Sequence, residues 1–158
     1  NMKQIYISDL VEYRLSHEKL VEEISSKESK FFSSDATLKE FKDHLGNVHT
    51  AVIFGEINEI SPVKFHTISL DINLFLNDEK LNSVLKTIKF LQSKGGVLIF
   101  LSDEKRNKES QKDYGIGAQI LNCLNIKKIK LLTSGGKHSF VGLQGFGLEI
   151  VEEIQIEC

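Results

Sequence analysis

Gly95-Gly96-Val97-Leu98-Ile99-Phe100-Leu101 is the stretch that decides the fold class. Its five consecutive apolar residues are too few for a helix. They read as a strand buried on both faces, the habit of parallel strands covered by helices on each side. Just upstream, Leu81, Val84, Leu85, Ile88 and Leu91 recur at spacings of three and four, which predicts a helix. Asn77 or Asp78 caps its start, and Gly95-Gly96 ends it. Further upstream, Ala51-Val52-Ile53-Phe54, closed by Gly55, predicts a strand, and so does Val63 to Leu70 behind the only proline, Pro62. Downstream, a charged stretch from Asp103 to Asp113 precedes a predicted helix from about Gly115 to Leu124. A strand over Ile129 to Thr133 and a last strand within Leu148 to Ile156 follow. Strand, helix, strand, repeated, predicts an α/β domain with a mixed, partly parallel sheet and flanking helices.

The first residues read differently. Leu10, Tyr13, His17, Leu20, Val21 and Ile24 form one apolar stripe at helical spacing, so a helix is predicted from Ser8 to Ile24. Ser25-Ser26-Lys27-Glu28-Ser29-Lys30 is polar and small, and reads as a linker. The expected division is therefore residues 1–31, helix and linker, and residues 32–158, the α/β domain. The opening Asn1-Met2 reads as an expression scar or the cut edge of a longer protein.

Composition narrows the function classes. The chain has 158 residues, 41% hydrophobic and 27% charged, with a formal net charge of -2, so nothing drives nucleic-acid binding. No run of 18 apolar residues predicts a membrane span, and no signal peptide is visible. Two cysteines, Cys123 and Cys158, rule out a disulfide framework and any zinc site of three or four thiolates, and they point to the cytosol. Cys123, inside an apolar helix, reads as a small core residue.

Three motifs carry possible chemistry. Thr133-Ser134-Gly135-Gly136-Lys137-His138 follows a strand, and its free N–H groups and lysine suit a phosphate. It is not a P-loop, because Leu131 stands where the first glycine belongs and His138 where Ser or Thr belongs, and a plain strand-to-helix turn accounts for the pattern better than a phosphate loop. Gly115-Ile116-Gly117 lacks the third glycine of a dinucleotide fingerprint, and tight packing at a helix start accounts for it better. The five histidines form no H-x-x-x-H pair, and none lies beside a cysteine. His66, mid-strand, faces either a cleft or a neighbour's backbone.

Three further stretches resemble one family. Lys112-Asp113-Tyr114-Gly115-Ile116-Gly117-Ala118-Gln119-Ile120-Leu121 is similar to the "R-D-Y-G-I-G-A-Q-I-L" helix start of GTP cyclohydrolase II. Lys128 to Thr133 resembles that family's "K-I-R-L-L-T" strand, and Val141 to Glu152 its "V-G-L-E-G-Y-G-L-E-I-V-E" ending. The stretch Tyr6 to Arg14, continuing through His17 to Leu20, resembles the closing helix of 3,4-dihydroxy-2-butanone 4-phosphate synthase, which many bacteria fuse ahead of the cyclohydrolase for riboflavin synthesis.

The departures from that pattern carry the functional expectation. The resemblance implies a zinc held by three cysteines after "V-R-V-H-S-E-C". The matching stretch is Val63-Lys64-Phe65-His66-Thr67-Ile68-Ser69, which keeps His66 but puts Ser69 at the first thiolate. No cysteine occurs between there and Cys123, and a neutral hydroxyl does not replace a thiolate. The family's "Q-E-G-R-G-I-G" loop is replaced by Ser102 to Asn107, and several dozen residues before the Asp-Tyr helix are missing. The implied catalytic acid and arginine fall on Ser110 and Lys112, and lysine does not substitute for arginine at such a site. Thr133, Lys137, His138 and His66 are what remains to hold a nucleotide or phosphate.

The expectation is a GTP cyclohydrolase II-like domain that has lost its zinc, its metal site and its catalytic residues. It would act as a structural or regulatory partner of a fused synthase domain, as a cytoplasmic homodimer. Two rivals stand beside it: a nucleotide- or phosphate-binding module, and an active cyclohydrolase whose metal site is rebuilt from His66, Asp71 and Asp78.

Overall fold

The computed structural model describes residues 6, 9–10, 13–14, 17–68, 70–102, 112–134 and 147–156, without the side chains of 112–114. Seven strands form one sheet. They are β1 (Val21–Phe31), β2 (Ser34–Asp43), β3 (Val48–Phe54), β4 (Ile60–Thr67), β5 (Gly96–Leu101), β6 (Lys128–Thr133) and β7 (Glu149–Gln155). Three helices are described whole: α1 (Asp71–Phe75), α2 (Asp78–Lys94) and α3 (Lys112–Cys123). The strand order is β1-β2-β3-β5-β4-β6-β7. β1, β2, β3 and β5 pair antiparallel, and β5, β4, β6 and β7 pair parallel. The sheet is thus mixed and partly parallel, as the sequence predicts.

β5 sits at the centre and reads as expected. Val97, Ile99 and Leu101 join one core cluster and Leu98 the other. The two clusters are the two faces of the sheet. α2 closes one with Ile88 and Leu91, packed near Val52, Phe54 and Leu132. α3 closes the other with Ile116, Ile120 and Leu121, near Val63, Ile129 and Leu131. The Asn77 side chain caps α2 by accepting from the Lys80 N–H at 2.9 Å, and Gly95 ends it. Gly117 of α3 has the packing role expected: a Cβ on it would lie 2.5 Å from Phe65 Cε1.

Five expectations are corrected. The helix predicted to Ile24 stops short. Asp9, Leu10, Tyr13, Arg14 and His17 are helical, but β1 starts at Val21. The stretch predicted as a linker lies inside β1, so for residues 21–31 the reading as helix and linker of a preceding domain gives way to an edge strand. Its Ser25 and Lys27 pair with Glu40 and Leu38 of β2. The expected boundary near residue 32 falls in the two-residue turn of this hairpin, where Phe32 and Ser33 adopt φ of 47° and 66°. Cys123, predicted to be a core residue, is exposed on the last turn of α3, and burial of its surroundings still pushes the thiol pKa up. The strand predicted to Leu70 ends at Thr67, and α1 follows. Among the described residues no helix is long and apolar enough to cross a membrane.

Candidate functional site

The connections define where a ligand crevice belongs. From β4 the chain runs through α1 and α2 to β5 on one side. From β5 it runs through α3 to β6 on the other side of β4. Successive crossovers therefore diverge between β4 and β6, and open α/β sheets bind ligands outside the carboxyl ends of the strands at such a switch point. The residues there are Lys64, His66 and Thr67 of β4, and Thr133 and Ser134 at the end of β6.

Lys64 is the residue that the sequence reading passed over. It lies mid-strand and is only 9% exposed, yet it is a lysine. Strand alternation turns it toward the α2 face, where its Nζ donates to Ser134 Oγ at 2.9 Å. Burial lowers its pKa. A buried ammonium is costly unless paired, so this bond across the mouth between β4 and β6 marks a place where negative charge is welcome. The signal in the sequence was a lysine interrupting an apolar strand.

His66, two residues on, shares that face. Its ring stands edge-on to Phe100 at a centroid distance of 5.6 Å. Its pKa is lowered, first by burial, then by the charges of Lys80 and Lys64. The imidazole is therefore neutral at pH 7, in a positive field. That field does not suit a dication, and among the described residues no group of three or more His, Cys, Asp or Glu is arranged to hold a metal. The described donors around His66 do not fit zinc.

Thr133 lies at the same end of the sheet, and its carbonyl accepts from Ile156 N–H at 2.7 Å. Leu131 belongs to the α3-side cluster and Leu132 to the α2-side cluster, so alternation sends the Thr133 side chain to the face opposite His66. Lys64, His66 and Ser134 are brought together; Thr133 lies at the same end of the sheet on the other face. Lys112 opens α3, and its side chain lies outside the described set, as do Ser69, Ser110, Lys137 and His138.

A second polar cluster lies beyond the far side of β5. Asp43 Oδ1 accepts from the N–H groups of Leu45 and Asn47, both at 2.9 Å, and Oδ2 from Asn47 Nδ2 at 3.0 Å. His49 Nε2 lies 3.1 Å from Asp43 Oδ2, and His49 Nδ1 accepts the Ser102 N–H at 3.0 Å. Since Nδ1 accepts, Nε2 carries the proton and donates to Asp43. Neither ring nitrogen is left to take a substrate proton, so this Asp–His pair is a clamp on the exit of β5.

Comparison with known proteins agrees with this architecture. Residues 105–155 match the family model described as GTP cyclohydrolase II. A Sulfurospirillum multivorans protein named 3,4-dihydroxy-2-butanone 4-phosphate synthase is 41% identical over 152 residues, covering 96% of this chain and 43% of that protein. A Cytophaga hutchinsonii riboflavin biosynthesis protein, RibBA, is 31% identical over 191 residues, covering 99% of this chain and 47% of that protein. Since this chain has 158 residues, at least 33 positions of that alignment have no counterpart here. The crystal structure of RibBX, a two domain 3,4-dihydroxy-2-butanone 4-phosphate synthase from A. baumannii, superposes with a TM-score of 0.69 at 27% identity, covering 93% of this chain and 44% of that one. The chain spans a little under half the length of these relatives. It is similar along nearly its whole length to proteins named for that synthase or for riboflavin biosynthesis, and its last third matches the GTP cyclohydrolase II model.

Proposed function

We propose that this chain is the GTP cyclohydrolase II-like unit of a riboflavin-biosynthesis protein, that it has given up GTP ring opening and zinc, and that it serves a fused 3,4-dihydroxy-2-butanone 4-phosphate synthase as a structural or regulatory partner within a cytoplasmic homodimer. The observation that carries this reading is the likeness, over 93% of this chain, to less than half of a two domain synthase. The departures support it. Ser69 stands at the family's first thiolate position, Ser110 and Lys112 at its catalytic pair, and the RibBA alignment needs extra residues on the scale of the missing catalytic segment. The intact protein is expected to release no formate from GTP and to hold zinc well below one equivalent. Deleting this region is expected to lower synthase turnover or its thermal midpoint. Stoichiometric zinc with steady formate release overturns the reading, as does a synthase indifferent to the deletion.

One observation favours a second role at the same crevice. The Lys64 ammonium is nearly buried, and the bond to Ser134 is its one described hydrogen bond. An anionic ligand there, a nucleotide or a sugar phosphate, would favour the charged amine, so binding near the lowered Lys64 pKa takes up protons. Calorimetric titration with GTP, ribulose 5-phosphate and flavin mononucleotide tests this. One of them is expected to bind, and Lys64→Ala to weaken that binding at least about tenfold, since charge-assisted bonds contribute about 1.5–3 kcal/mol. Silence from all three removes the role.

A further inference from the structure

α1 is built against the habits of a helix that serves its own domain. It has five residues, Asp71–Phe75, and none is buried. The residues on and around it are nonetheless large and apolar. Leu70 is 73% exposed, Phe75 64% and Leu76 78%, with Ile72 and Ile68 also exposed. Large apolar side chains left open this close together along the chain mark an interaction surface. A helix this short does not hold itself together in water; it meets α2 on one side, and its apolar residues are left open for a partner.

The chemistry of the ridge narrows the partner. Its one charged residue is Asp71, and α2 then begins with Asp78, Glu79 and Lys80. An interfacial membrane helix is longer and carries Lys and Arg on its polar face, so a lipid surface does not fit. The geometry narrows it further. β1 runs opposite to β2, β2 to β3 and β3 to β5, while β4 runs with β5, so the start of β1 lies at the same end of the sheet as the end of β4. At that end Gln119 of α3 fastens the entering chain, accepting from Leu20 N–H at 2.7 Å and donating to the Glu18 carbonyl at 2.8 Å. Exposed Leu45 and Val48, in and beside the β2–β3 turn, lie there too. Four strand spacings, about 19 Å, separate the start of β1 from the ridge. The relatives' remaining length, roughly 200 residues, makes a domain with a radius of gyration of about 16 Å, wide enough to cover both.

We propose that the ridge of Ile68, Leu70, Ile72, Phe75 and Leu76, at the carboxyl end of the parallel strands, is the docking surface for the synthase domain of the same polypeptide. This rests on the proposed fusion and adds to it the face by which the two parts meet. The test uses the intact protein and the double variant Leu70→Glu/Phe75→Glu, with Ile57→Glu, at the opposite end of the sheet, as control. Hydrogen-exchange mass spectrometry, sedimentation velocity and synthase turnover of ribulose 5-phosphate are measured together. The expected result is at least a tenfold faster exchange of synthase-domain amides in the double variant, with β5 and β6 amides and the sedimenting mass unchanged. Unchanged synthase-domain exchange overturns the docking. A halved mass in the double variant also overturns it, since the ridge then meets a second copy. An unsubstituted protein without synthase turnover removes the fusion reading itself, and the docking with it; turnover with unaltered exchange removes the docking alone.

Discussion

Gly96→Ala is expected to cost about 3–5 kcal/mol of folding stability, combining an unfavourable backbone conformation with overpacking of a closed site. Gly96 opens β5 at φ 135°, where L side chains are strained. A Cβ there would overlap the Pro62 carbonyl oxygen and lie 2.7 Å from Leu91 Cδ2. The leucine can turn away, but Pro62 is backbone in β4, held to β6 by the ladder through Lys130. Relief requires β4 and β5 to separate, which opens the core at its centre. Gly55→Ala supplies the contrast. Its φ of 70° is equally left-handed, but nothing lies within 4 Å of an added Cβ, so only about 1–2 kcal/mol is at stake. Denaturant midpoints of the two variants measure the difference. Equal losses would mean that the close approach of β5 to β4 contributes nothing.

The contrast between strands explains what the sequence discloses. β5 was legible because both of its faces are covered, so every position had to be apolar and the run could not be mistaken. α2 was legible because its cap, its stripe and its terminal glycines agree. β1 was not, for a physical reason. It is an edge strand whose Val21 alone is buried, and its remaining positions are exposed or half-exposed. Its Ser, Lys and Glu residues carry no alternation, and Leu20, Val21 and Ile24 extend by chance the helical spacing of the residues before them. What makes it a strand lies far away in the chain. Ser25 Oγ donates to Glu40 at 2.7 Å, Lys39 pairs with Glu23 at 3.1 Å, and the Gln92 side chain of α2 donates to the Phe32 carbonyl at 3.0 Å to hold the turn. That turn uses Phe32 and Ser33 where Asn-Gly would have announced a hairpin. The site divides in the same way. His66 could be singled out by its residue type, whereas Lys64 gives only the faint signal of a lysine within an apolar strand until its burial and the nearness of Ser134 are seen. The opposite facing of Thr133 follows from strand register, which no local motif encodes.

Asp43→Ala is expected to be the other severe substitution, costing about 3–5 kcal/mol, because it strips the partner from buried donors that nothing else can serve. The carboxylate accepts from Leu45 N–H, Asn47 N–H, Asn47 Nδ2 and His49 Nε2, and its own surface is nearly closed to water. Burial by itself would raise the Asp43 pKa. The hydrogen bonds from the Asn47 side chain and backbone, His49 and Leu45 outweigh it, and the net shift is downward. A carboxyl that binds its proton more weakly when folded contributes stability above its unfolded pKa of about 3.9, and that contribution is lost as pH falls through the folded value. The gap in stability between the unsubstituted protein and Asp43→Ala is therefore expected to be constant near neutrality and to shrink below about pH 4. Equilibrium denaturation across that range measures it, and a gap that widens on acidification would contradict the assignment. His49→Ala separates two consequences of the same clamp. It leaves Asp43 three of its donors but strands the Ser102 N–H, so its cost is expected to be the smaller, about 1–3 kcal/mol. Its local effect is expected at Ser102, where β5 hands the chain to residues 103–111, and Ser102 amide exchange should accelerate beyond what the loss of global stability accounts for. A His49→Ala protein in which the Ser102 amide stays as protected as its neighbours would mean that the exit of β5 is held by the sheet alone.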